Sequence, residues 1–383
     1  MKRVVVLGLA GRYPLGGMAW QVLHHVLGFQ RLGCDTYYVE DSAAPPYSPR
    51  RMAGAESAFE GVRFLARTFR RFDLADRWGY YDCLSESWFG MSERRARELI
   101  EHADLVLNLC GASQPPEPPR HRGCLAYMET DPVFAQVGLA AGDEVVRRFV
   151  EAHDLHFTYA WNLGDGDCPL PTGGVHWRKT HPPVLVDLWE SEPRPKGVWR
   201  TIATFENEGK DVEFGGEVLR WSKRPSFEQI MDLPGRTRER LEVALATSDG
   251  SVRRGFLDRG WRLANPRRIS CSAARYRRYA VGAKGEFSVE KEQNVRLRTG
   301  WFSDRSVCFL AAGRPCVVED TGFASRLPVG RGLLGWSAPE EAVEALERAS
   351  RDYALHARAA RDLARSFFDA PRLLAGILAE AGL

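Results

Sequence analysis

The sequence predicts an α/β protein built as two Rossmann-like lobes facing a cleft, and three observations predict it. The chain has 383 residues, which at roughly 100–200 residues per domain is room for two domains. Hydrophobic residues make up 44% and charged residues 27%, so each half can bury a core of its own. Short apolar runs alternate with helix-like stretches in both halves, the pattern of parallel sheets with crossover helices.

In the first half, residues 4–9 form an apolar strand, and Gly11, Pro14, Gly16 and Gly17 make the loop after it. A helical pattern over 18–32 closes at Gly33 and a second strand covers 36–39, which completes a βαβ unit. Further strands are expected at 105–109, 125–128 and 156–161, with helices at 56–72 and 92–102. The first lobe spans 1–190. Residues 190–197, polar and proline-bearing, suit a linker. The second lobe, 197–352, restarts with strands at 199–205, 241–246, 261–264 and 285–289. A helix from Ser303 stops at Gly313-Arg314-Pro315, a buried strand covers 316–318, and an amphipathic helix covers 339–350. Residues 353–383 form a helical tail, with the option of packing back on the first lobe.

Charge and cysteine usage narrow the function. The net charge of +3 is the small difference between 53 basic and 50 acidic side chains, which argues against a protein that coats a polyanion. Arginine outnumbers lysine 46 to 7, a bias read as genome composition. No stretch reaches the 18 or so uncharged apolar residues of a membrane span, and the first apolar run is too short for a signal peptide. The eight cysteines include no Cys-x-x-Cys, and reduced core thiols in a cytoplasmic protein are expected. No Walker loop or Gly-x-Ser-x-Gly occurs, and His121 with Cys124 lacks a second ligand pair for zinc.

Several segments carry candidate chemistry. The first loop does not spell Gly-x-Gly-x-x-Gly, although Glu40 and Asp41 follow the second strand. Gly16 and Gly17 are therefore read as cleft floor rather than as a dinucleotide site. Ser303-Asp304-Arg305-Ser306 opens a helix with free backbone N–H groups, hydroxyls and a guanidinium, which suits a phosphate; plain N-capping by Ser303 is the alternative. The next strand opens into Glu319-Asp320-Thr321-Gly322. In the first lobe, Glu129 and Asp131 emerge at a strand's C-terminal end, where a carboxylate can act as general base, or where Asp131 can cap the following helix. Asp165 and Asp167, spaced like a carboxylate metal pair, sit among Gly and Pro and read as a turn, so no metal site is expected. One of His24 and His25 is expected to face the core and the other solvent. Residues 262–305 hold eleven basic side chains against four acidic ones, which implies an anionic ligand or a solvated face. No nucleic-acid module accompanies them.

The segment GEFSVEKEQNVRLRTGWFSDRSVCFLAAGRPCVVEDTGF, residues 285–323, resembles the donor half of GT-B nucleotide-sugar glycosyltransferases of the family 1 and family 4 type. Its Ala-Ala-Gly-Arg-Pro followed by a strand is similar to their Leu-Ala-x-Gly-x-Pro-Val-Val. The resemblance implies that Ser303, Asp304, Arg305 and Ser306 face the donor diphosphate, and that Glu319, Asp320, Thr321 and Gly322 face the sugar. It also implies a cationic side chain after the strand that opens the second lobe, a position Lys210 occupies, and with it stabilisation of the leaving diphosphate. The expected function is metal-independent transfer of a sugar, from a UDP-sugar as first guess, to a small-molecule acceptor, with Asp131 as base and Gly16, Gly17 and Glu129 lining the acceptor side. No further cofactor and no nucleic-acid partner is expected. Glu286, Glu290 and Glu292 do not reproduce the Glu-x7-Glu pair of retaining members, although Glu319 matches its second residue, and the stereochemistry stays open. The alternatives are a non-catalytic nucleotide or anion binder, and a nucleotide-sugar epimerase or phosphorylase.

Overall fold

Two parallel sheets organise the chain, each with its first strand in the middle. The computed structural model describes residues 1–115 and 121–383. The first sheet runs, in spatial order, Trp177–Lys179, Leu155–Thr158, Cys124–Glu129, Leu105–Leu109, Arg3–Leu7, Asp35–Glu40, Trp78–Asp82 and Ser87–Phe89. Only the last strand is antiparallel to its neighbour. The second sheet runs Arg262–Leu263, Leu241–Ala246, Trp199–Thr204, Gly285–Ser288, Cys316–Glu319 and Leu333–Trp336. In both, strands add to one side of the first strand and then to the other, so each lobe has a switch point where crossover loops part and leave a crevice.

The strands are nearly continuous hydrophobic runs because helices cover both faces. Val4, Val5, Val6, Leu105, Leu107 and Leu109 are all inaccessible to solvent. The helix Gly16–Arg31 is buried on almost every side. It packs on the first sheet, on the second-lobe helix Ala273–Val281 and on the tail helix Ala370–Glu380, which is why Trp20, Leu23, Val26 and Phe29 leave it no polar stripe. His24 and His25 are therefore both buried, whereas the sequence placed one in solvent. Burial holds His24 down to about 3 and His25 to about 4, so both are neutral. One apolar cluster runs from the first sheet through Trp20, Trp189 and Tyr276 into the second lobe. A second cluster fills the far face of the second sheet.

The tail, with helices Tyr353–Phe367 and Ala370–Glu380, returns to the first lobe. The Val184 N–H donates to the Phe368 carbonyl at 2.7 Å, and Arg178 pairs with Glu380 at 2.6 Å. The lobes also touch directly. The Asn162 side-chain amide donates to the carbonyls of Arg298 at 3.0 Å and Gly322 at 2.9 Å, and the Trp20 indole donates to the Ala273 carbonyl at 2.8 Å. Gly16 meets Tyr276 so closely that a Cβ would lie 2.5 Å from the tyrosine Cβ. The strands Trp78–Asp82 and Leu333–Trp336 and the helices Phe134–Ala140 and Glu144–Glu151 add to what the sequence predicts. Gly79 interrupts the apolar pattern of the first of these because the Met91 side chain packs on its α-carbon. Among the described residues, no helix is long and apolar enough to cross a membrane.

Gly61 crosses the loop after the first strand: a Cβ there would lie 2.2 Å from the Gly11 carbonyl oxygen, a backbone atom that cannot swing aside. Gly61→Ala is expected to cost about 1–3 kcal/mol in urea unfolding. Gly54→Ala, with no atom within 4 Å of the new methyl, should be neutral in the same assay.

Candidate active site

The C-terminal strand ends of the two sheets face each other, and the loops leaving them supply the polar groups of the cleft. From the first lobe come Gly16 and Gly17 at the start of the first helix, Gln21 one turn on, Cys110 after Leu105–Leu109, and Thr130 and Asp131 after Cys124–Glu129. The second lobe supplies Lys210 and Trp221 after Trp199–Thr204, Lys291 after Gly285–Ser288, and Ser303 and Asp304 at the start of the helix Asp304–Ala311. A cavity of about 250 Å³ opens between the lobes, lined by Gly17, Gln21, Tyr276, Ser303 and Asp304 among others.

Asp131 joins the lobes electrostatically. Its Oδ2 accepts from Lys291 Nζ at 2.7 Å and from the Trp221 indole N–H, and both Lys291 and Lys210 lie over the Trp221 ring, at 4.2 and 5.3 Å from its centroid. Burial alone would raise the Asp131 carboxyl, but Lys291 and Lys210 beside it hold it below the ordinary carboxylate range. Among the described residues, its other oxygen, Oδ1, is buried without a partner. Asp131 is not a helix cap: the residue ahead of the helix Phe134–Ala140 is Val133, at φ 97°.

A hydrogen-bonded row crosses the cleft beside this group. Cys110 Sγ lies 3.0 Å from Thr130 Oγ1 and donates to Gln21 Oε1 at 3.2 Å, and Gln21 Nε2 donates to Asp304 Oδ2 at 3.2 Å. Burial pushes the Cys110 thiol up to about 12, so it stays protonated, and raises the Asp304 carboxyl to about 7. Glu129 points inward instead. It accepts from Thr158 Oγ1 at 2.7 Å and Gln136 Nε2 at 2.5 Å, and burial raises it to about 7. It supports the wall rather than lining the cavity.

The second-lobe candidates divide in the same way. Ser303 caps its helix, accepting from the Arg305 N–H at 3.2 Å, and still lines the cavity with Asp304. The Arg305 side chain, only 10% exposed, turns to the protein: it pairs with Glu286 and with Glu290 at 3.1 Å, and donates to Ser288 Oγ at 2.6 Å and the Ile202 carbonyl at 3.2 Å. Arg305, expected to face the donor diphosphate, is held mainly by this network, although the side chain still touches the cavity edge. Ser306 is fully buried. Glu319 accepts from the Glu290 N–H at 2.8 Å, and Asp320 accepts from the N–H groups of Gly322 at 2.9 Å and Ala324 at 3.2 Å. The Thr321 hydroxyl donates to the Trp301 carbonyl at 2.5 Å, and Gly322, at φ 94°, packs on Asn162. Gly322 meets the first lobe at Asn162, and the bonds of the other three lie within the second lobe. Glu40 is equally engaged, accepting from the N–H groups of Gly11 at 2.7 Å and Arg12 at 2.5 Å, which ties it to the first loop. Asp165 pairs with Lys179 and Arg326.

The same arrangement of two lobes is found in solved structures along the full chain. An α-glucosyltransferase in complex with UDP and a 13-mer DNA containing an HMU base is 10% identical, with TM-score 0.60, covering 100% of this chain and 99% of that one. Anabaena Alr3699/HepE in complex with UDP and glucose is 11% identical, with TM-score 0.56, covering 99% of this chain and 100% of that one. AviGT4, a glycosyltransferase involved in avilamycin A biosynthesis, is 12% identical, with TM-score 0.52, covering 100% of this chain and 97% of that one. The fold is GT-B. No family model matches the chain, and no curated protein matches it in sequence. Within the GT-B frame, the sequence did not single out Gln21, Cys110, Trp221 or Lys291. Lys291 was visible only as one of eleven bases in a charged segment, and nothing local marks the others.

The buried charges can be tested through stability. Arg305→Ala leaves Glu286 without its cation and Glu290 with Lys223 alone, and is expected to lower stability by about 3–5 kcal/mol in urea unfolding. Glu129 binds its proton more tightly folded, at about 7, than at the ordinary 4.5. Its contribution to stability is therefore full below the ordinary value and is lost as pH rises through about 7. Glu129→Gln cannot ionise, so unfolding free energies measured from about pH 5 to about pH 8 should show the variant gaining on wild type as pH rises.

Proposed function

We propose that this chain transfers a sugar from a nucleoside diphosphate sugar, with UDP-sugar the first choice, to a hydroxyl of a small-molecule acceptor held between the lobes. The observation that carries the reading is the convergence of Asp131, Lys210 and Lys291 from strand ends of the two lobes, beside a cavity floored by Gly17 and the helix start at Ser303. The fold likeness to enzymes described as glycosyltransferases supports it, and so do the UDP and glucose named in one of those complexes.

In this reading the Ser303 helix start and the two ammonium groups face the diphosphate. The bond from the anomeric carbon to the diphosphate oxygen breaks, and the electron pair leaves with the nucleoside diphosphate. The acceptor oxygen bonds the anomeric carbon and gives its proton to Asp131 Oδ1, the oxygen that has no partner among the described residues. Lys210 and Lys291 balance the charge that grows on the leaving group. The eight cysteines are all unpaired, which suits a reducing cytoplasm.

Calorimetry with UDP and detection of UDP released from UDP-glucose test the reading. Lys210→Ala should lower turnover by roughly 10²–10³ with a smaller change in UDP affinity, because the charge it meets appears as the bond breaks. Asp131→Asn should lower turnover by roughly 10²–10⁴ and lower the melting temperature, since Lys291 loses its counterion. Wild-type turnover in both variants would overturn the assignment. Uptake of UDP without release from UDP-glucose would favour a binding protein instead.

A further inference from the structure

A large, positively charged concavity lies next to the catalytic cleft, on the side where the first loop meets the second lobe. It has a volume of about 630 Å³ and is lined from the first lobe by Pro14 and the helix Phe59–Arg70, and from the second lobe by residues 265–275. Arg50, Arg63, Arg67, Arg267, Arg268 and Arg275 reach it, against one carboxylate, Glu60. All six arginines are exposed.

Arginine is abundant in this chain, so its presence alone decides nothing; its convergence on one concave surface does. Some exposed arginines on other helices have carboxylates one turn away, as in Arg97 with Glu93, Arg148 with Glu144 and Arg224 with Glu228, and others, such as Arg94 and Arg254, stand apart from one another on separate helices. Among the described residues, none of the six groove arginines has a carboxylate within 4.0 Å, and Arg63 instead covers the Phe59 ring at 5.1 Å. Six like charges around one concave surface repel one another, and a bound anion relieves that repulsion. Guanidinium groups bind phosphate or carboxylate in paired fashion, and groups from both walls can grip one ligand. The groove adjoins the catalytic cavity: Pro14 and Leu15 are consecutive, as are Ser270 and Cys271, and each pair has one member in each lining.

We propose that this groove binds the acceptor, a soluble molecule carrying two or more phosphate or carboxylate groups, and directs its hydroxyl toward Asp131. The role as acceptor site rests on the sugar-transfer reading above; the anion site does not. A concave groove between lobes fits a ligand that enters it, whereas a membrane surface is too flat to reach both walls.

The test is calorimetry at low salt with fructose 1,6-bisphosphate and with citrate as probes, and with uncharged fructose as the blank. Wild type should bind at least one anionic probe, and which of the two it prefers tells phosphate from carboxylate. The pair of changes Arg67→Gln and Arg268→Gln should weaken that binding by about tenfold to hundredfold, leaving the melting temperature and UDP affinity unchanged. The pair Arg63→Gln and Arg267→Gln is the second variant should the first fold poorly. Arg94→Gln with Arg254→Gln, exposed arginines outside the groove, should change nothing. Failure of both probes to bind, equal binding by the groove variants, or an equal loss in the distant variant would overturn the proposal. Binding confined to phosphatidylglycerol vesicles or to a 13-mer duplex DNA would overturn it too. If UDP fails to bind wild type, the sugar-transfer reading falls, and the bisphosphate and citrate arms still decide the groove.

Discussion

One buried cation holds together the strand ends from which the second lobe's charged groups enter the cleft. Arg305 sits between the two strands at the second lobe's switch point, tied to Glu286 and Ser288 on one and to the Ile202 carbonyl on the other, and it reaches Glu290 beyond. Asp304 precedes it in sequence and Lys291 follows Glu290. The network therefore sets both the acid at the cavity wall and the ammonium that meets Asp131. Glu290 is shared with Lys223 at 2.6 Å, which binds the loop after Trp199–Thr204 to the same cluster. Buried ion pairs add little net stability, but losing one partner strands a charge. Such a cluster favours a single arrangement of the strand ends, which a site of converging loops requires.

The sequence made the fold legible where local chemistry decides it. The strand Leu241–Ala246 was expected with those bounds, since its apolar run stands between polar turns. The helix start at Ser303 was marked by a cap residue that does cap. The strand Trp78–Asp82 was not legible, because Gly79 answers to Met91 from a neighbouring segment. Distance along the chain hid the site in the same way. Trp221 and Lys291 reach Asp131 from 90 and 160 residues away. The acidic loop after the strand Cys316–Glu319 shows the opposite failure: residue types suited to a sugar are present, yet their hydrogen-bonding capacity is taken up by nearby backbone.

Burial also determines the sign of the field in the cleft. Asp304, Glu129 and Glu319 are each raised to about 7 by burial, while Asp131 alone is held below the ordinary carboxylate range by the two lysines. Neighbouring carboxyls with separated affinities for protons divide the work between neutral donors and a charged group. Were all four ionised, they would outnumber Lys210 and Lys291 and repel a diphosphate. Below about pH 7 these three are mostly protonated, and the two ammonium groups then exceed the one carboxylate. The apolar packing that closes the lobes around Trp20, Tyr276 and Trp301 thus does more than hold them together. By excluding water it raises the affinity of the surplus acids for protons, which weakens their opposition to the lysines that a leaving diphosphate needs.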